Sequence, residues 1–100
     1  FSRMVNFRIS SLRRESAMKC ASKVASIARQ LCCNGNMDNK VKIMGPAEAP
    51  IAKIKGRYRW HMLLMGENVS TLHRLARDIL ANTKTTDSTV TVDVDPINFL

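Results

Sequence analysis

The sequence predicts an α+β fold, a four-stranded antiparallel sheet carrying two helices on one face. Three observations predict it. Strand-like alternation opens the chain, two stretches carry an apolar stripe at helical spacing, and these segments fall in the order β-α-β-β-α-β. Each βα crossover is expected to be right-handed, which places both helices on the same side. The spatial strand order expected from this is 4-1-3-2.

The first strand is Met4 to Ser10, with Val5, Phe7 and Ile9 on one face and Asn6, Arg8 and Ser10 on the other. A helix comes next, from about Arg13 to Leu31. Its apolar stripe is Ala17, Cys20, Ala21, Val24, Ile27, Ala28 and Leu31, with Ser11 as N-cap and Asn34-Gly35-Asn36 as the stop. Lys40 to Met44 reads as the second strand. Gly45-Pro46 breaks it, and Pro50 keeps the next stretch of chain out of a regular sheet interior. The third strand, Arg57 to Met65, directs Tyr58, Trp60, Met62 and Leu64 to the core. Gly45 to Gly56 is too long for a tight turn, so a projecting arm is expected between these two strands. The second helix runs from about Val69 to Ala81, capped by Asn68, with Leu72, Leu75, Ala76, Ile79 and Leu80 buried. The last strand is Thr89 to Val94, with Val90, Val92 and Val94 inward and Asp95-Pro96 closing it.

Charge narrows the function. The chain carries 16 Lys+Arg against 8 Asp+Glu, a formal net charge of +8 in 100 residues. The excess lies in residues 1–60, which hold 13 of those basic side chains and 3 acidic ones. Such asymmetry is the footprint of a polyanion partner. It concentrates in Lys53-Ile54-Lys55-Gly56-Arg57-Tyr58-Arg59-Trp60, where cations alternate with other residues. Extended, the run lines one edge with four cations about 6.6 Å apart. A ladder of like charges repels itself unless an anion such as a phosphate backbone lies along it. The competing reading is a solvated edge strand whose lysines discourage aggregation. On the expected sheet, Arg8, Lys42, Arg57, Arg59 and His61 share the open face with Thr91 and Asp93. Lys53, Lys55, Arg57, Arg59, Arg8 and Lys42 are therefore the candidate DNA contacts.

Tyr58 is the candidate base-stacking ring, since bases stack on exposed aromatics. Alternation puts Tyr58 and Trp60 on the core side, and a register shift of one residue reverses that. Both readings stay open at this point.

Other chemistries find little support. Cys20, Cys32 and Cys33 lack paired spacing, and His61 and His73 fall on different elements, so four converging zinc ligands are not expected. An odd cysteine count without a signal-peptide pattern fits a reducing cytosol. No apolar run approaches the roughly 20 residues that span a bilayer. No phosphate-cradling G-x-x-x-x-G-K-[ST] loop is present. Acylphosphatases share this element order, but Ser10-Ser11-Leu12-Arg13 lacks the glycines of their phosphate loop. Asp93 and Asp95 share a strand face, and they are expected to pair with Arg8 or adjacent lysines, or to mark the strand end, rather than to hold a metal. No catalytic residue and no cofactor is assigned to this chain.

Gly45 to Trp60, followed by Asp93-Val94-Asp95-Pro96, closely resembles the C-terminal end of the PriA family, the bacterial replication-restart helicases also called primosomal protein N′. Phe1-Ser2-Arg3-Met4 resembles the segment after that family's helicase lobes, and the resemblance covers essentially the whole chain. It implies a fold like that of a small-subunit ribosomal protein and a role in binding branched DNA at stalled forks. The chain, 1–100, is then a single C-terminal domain cut from a longer ATP-dependent helicase. The absence of an initiator Met before a strand that starts so early agrees with this. ATP, Mg and structural zinc are implied only for other parts of such a helicase. Implied partners are forked or single-stranded DNA, the helicase and zinc-binding domains of the same protein, single-strand-binding protein and primosome proteins. No membrane is implied, and the location is cytoplasmic, with the nucleoid. The alternative role is an intrachain scaffold that docks the helicase lobes, with DNA contact incidental.

Overall fold

A computed structural model of the chain describes residues 3–35, 40–84 and 87–94, without the side chains of 50–54. The elements are β1 (Arg3–Ser11), α1 (Arg14–Asn34), β2 (Val41–Ile54), β3 (Arg57–Gly66), α2 (Val69–Asn82) and β4 (Ser88–Val94). They form one sheet in the order β2-β3-β1-β4, the order expected from right-handed crossovers. All three neighbouring pairs are antiparallel.

Period-two alternation in β1 buries Val5, Phe7 and Ile9 completely, and β3 adds Met62 and Leu64. Each such side chain contributes about 1.5–3 kcal/mol by leaving water. The buried positions of α1 are small: Ala17, Cys20, Ala21, Val24, Ala25, Ala28 and Cys32. Small residues let the helix backbone come close to the sheet, so the bulk of the core comes from Phe7, Met62, Leu64 and the α2 residues Leu72, Leu75 and Ile79. Leu80 was expected among these but is 40% exposed, because it falls at the edge of the α2 stripe. Val94 is also open, at the end of β4.

Asn68 caps α2 as expected, its side-chain oxygen accepting from the Thr71 amide at 3.0 Å. Ser11 does not cap α1. It remains in β1, fully buried, and its hydroxyl donates to the Asp87 carbonyl at 2.7 Å. The hydroxyl also accepts from the Arg13 amide at 3.3 Å, and Arg13 occupies the N-cap position without a side-chain cap. α1 ends at Gly35, whose amide donates to the Leu31 carbonyl; Asn36, expected in the stop, lies outside the described residues.

Gly45-Pro46 and Pro50 do not end the second strand. β2 runs on to Ile54 with register shifts between Met44 and Ala47 and between Glu48 and Lys53. β2 is an edge strand, where a missing amide and an irregular ladder cost little. Arg29 donates to the Gly45 carbonyl at 3.0 Å across this irregularity. At the hairpin end, Lys55 and Gly56 close a two-residue turn with φ of 52° and 78°. Positive φ at both positions is what the right-handed twist of a two-residue hairpin demands.

Candidate nucleic-acid interface

The sheet face away from the helices is divided into two halves. Register places Arg8 beside His61, Ser10 beside Arg59 and Asn6 beside Leu63. β4 adds Thr89, Thr91 and Asp93 opposite Ser10, Arg8 and Asn6. The half nearest the β2–β3 turn is therefore cationic and hydroxyl-rich. The far half carries Met4, Leu63, Met65 and Met44, with Met44 45% exposed.

Arg57 is anchored in the first half by two hydroxyls. Its Nε donates to Ser10 Oγ at 3.3 Å and its Nη2 to Thr89 Oγ1 at 3.2 Å. Both acceptors are neutral, so the guanidinium is oriented without a carboxylate partner among the described residues. A fork held this way presents its remaining donors in a fixed plane, the geometry that suits phosphate. Arg59 lies next along the same face of β3, half-buried, and Lys55 projects from the exposed turn. Arg8 differs. It pairs with Asp93 at 2.8 Å, the partner expected for that aspartate, and this half-exposed ion pair spends part of its charge.

Two sequence-derived placements are corrected. The cations from Lys53 to Arg59 do not form one extended row, because the Lys55-Gly56 turn reverses the chain. Lys53 sits opposite Tyr58 and Ile54 opposite Arg57. The Lys53 side chain lies outside the described residues. Lys42 also stands apart: it pairs with Met65, six residues along β3 from Arg59, roughly 20 Å at strand rise. It borders the apolar half.

Trp60 packs half-buried against the core, on the helix side opposite Ile9. Tyr58 is also on that side and half-buried. It borders a surface cleft of about 620 Å³ shared with Leu12, Arg13, Arg14, Lys19 and Asp87. Sequence reasoning missed this neighbourhood, because it joins the start of α1 to β3 and to the residue before β4. The Arg14 guanidinium there meets Glu48 at 3.3 Å. Asn6 was missed as well. Expected on an open face, it is only 8% exposed, and its Oδ1 has no hydrogen-bond partner among the described residues.

Cys20 and Cys32 are buried and Cys33 is exposed, and none of the three is in a disulfide. Burial pushes the Cys20 thiol above its usual range, against a hydrogen bond with Ser88 and the charge of Lys23, which pull it down. Among the described residues no cluster of three or more His, Cys, Asp or Glu could hold a metal ion. No described helix is long and apolar enough to cross a membrane.

Known proteins bear out the sequence resemblance. The chain is 36% identical over 70 residues to the replication restart protein PriA of Bacillus subtilis (strain 168), a match spanning 70% of this chain and 8% of that protein. Among solved structures, the de novo designed protein Foldit4 superposes with a TM-score of 0.67 at 19% identity, over 96% of this chain and 98% of the design. A second designed protein, LFR1 1, with a ferredoxin fold, gives 0.57 at 9% identity, over 98% and 88% of the two chains. These designs share the fold alone. Residues 1–97 match the family described as primosomal protein N C-terminal domain, and the chain belongs to that family.

Proposed function

We propose that this chain is the DNA-binding module of a PriA-type replication-restart helicase, helping to recognise branched DNA at stalled forks and to start primosome assembly. The observation that carries the reading is Arg57, held by two neutral hydroxyls on an open sheet face between Arg59 and the Lys55 turn. A guanidinium fixed by neutral acceptors binds phosphate without reading sequence, as a module sensing DNA structure requires. Ser10, Thr89 and Thr91 supply hydroxyls alongside. Membership of the family supports the same assignment. Strand separation, ATP with Mg, and zinc belong in this reading to the rest of the helicase, acting in the cytoplasm with single-strand-binding protein.

A second reading is favoured by the other half of the face. Met44, Leu63 and Met65 lie on that half, and Asn6 Oδ1, beside Leu63, has no hydrogen-bond partner among the described residues, a surface better suited to protein than to phosphate. There the domain docks the helicase lobes, and DNA contact is incidental. Binding of the chain to forked, single-stranded and duplex DNA across a salt series separates the two. The DNA reading expects affinity that falls linearly in log K against log salt, with forks bound at least as well as duplex. Salt-independent or absent binding overturns it.

A further inference from the structure

The two edges of the sheet are built differently. β2 carries two prolines, two lysines and two register shifts, the features that keep an edge strand from pairing with another chain. β4 has none of them. Its seven residues, Ser88-Thr89-Val90-Thr91-Val92-Asp93-Val94, pair with β1 in unbroken register from Ser11 to Val5. They contain no proline, glycine or lysine, and five are β-branched. No described strand pairs with the outer edge of β4.

We propose that this edge pairs with β4 of a second copy of the chain, antiparallel about a two-fold axis through Thr91. Facing residues of an antiparallel pair share a sheet face, so the two positions of each pair must sum to an even number. Among those registers, the one centred on Thr91 pairs all seven residues. Val90 then faces Val92 on the helix side, and exposed Val94 faces Ser88. On the open side Thr89 faces Asp93. Because Arg57 already donates to Thr89, it arrives beside the partner's Asp93, which adds an opposite charge across the joint. Each Asp93 stays away from its twin. Two-fold self-pairing therefore satisfies both the apolar pattern and the charges of this strand. Seven-residue edge pairing buries a modest area, so the dimer is weak and concentration-dependent.

Sedimentation velocity on the 100-residue chain, without DNA, from micromolar to millimolar concentration tests this. The wild type is expected to shift towards twice the monomer mass. Thr91→Lys places two ammonium groups together at the axis and is expected to remain monomeric across the range. A wild type that stays monomeric overturns the proposal, as does a Thr91→Lys variant that dimerises equally well. Amide hydrogen exchange on the wild type provides a test independent of that variant's folding. Those amides of residues 88–94 that point away from β1 are expected to gain protection with concentration while those of β2 do not, and concentration-independent exchange of these β4 amides overturns the pairing.

Discussion

Removing Lys55 and Arg57 tests the cationic half of the open face at its hairpin end. The double variant Lys55→Asn/Arg57→Gln deletes two charges that hydrogen-bond only neutral partners or none among the described residues. Each lost phosphate contact flattens the log K against log salt slope by about 0.9 on duplex and 0.7 on single strands. The expected change is therefore about 1.8 on duplex and about 1.4 on single strands. Stability is expected to hold. Arg57→Gln gives up one part-buried and one exposed hydrogen bond, a net loss of about 1–2 kcal/mol. Lys55→Asn offsets this, because φ of 52° costs an ordinary side chain about 1–2 kcal/mol and asparagine tolerates it better. The variant also creates the Asn-Gly pair favoured in such turns. Fluorescence anisotropy on labelled DNA at several salt concentrations measures the slope, and circular dichroism checks folding. Lys42→Gln, at the apolar end, is the control and should leave the slope unchanged. A folded double variant with the wild-type slope would refute the phosphate assignment and favour docking.

The packing sets four further outcomes. Trp60→Ala should cost about 3 kcal/mol, the low end for aromatic truncation because the ring is half-buried; a thermal melt measures it, and lost DNA affinity at unchanged melting temperature would place the ring on the wrong side of the sheet. Gly66→Ala brings a Cβ within 2.9 Å of the Lys40 carbonyl oxygen, a backbone atom that cannot rotate away, so urea unfolding should register a loss of about 1–3 kcal/mol. Asn6→Leu removes a buried oxygen without a described partner and should stabilise the chain by about 1–3 kcal/mol in the same assay; a loss of stability would reveal a partner for that oxygen. At mildly alkaline pH a thiol reagent should label Cys33 promptly, while Cys20 and Cys32 react only on unfolding, and fast labelling of all three would contradict their burial.

Local periodicity by itself determined most of the architecture. Val5, Phe7 and Ile9 alternate with polar neighbours, and the α2 stripe repeats at helical spacing, so their faces are written in adjacent residues. Asn68 and the Arg8–Asp93 pair were also legible, the first from a cap position and the second from charges on one face. Other outcomes needed the assembled sheet. Tertiary structure turned the chain at Lys55-Gly56, moved Lys42 away from Arg59, and carried β2 past Gly45 and Pro46. It also drew Ser11 from α1 to the Asp87 carbonyl, 76 positions away, and enclosed Asn6 beside Leu63 and Asp93. The division has a physical cause. Burial along one strand or helix depends on spacing within a few residues, and sequence carries that directly. Cross-strand register depends on where a turn forms and which residues an edge strand leaves unpaired, and those are settled only when distant segments meet.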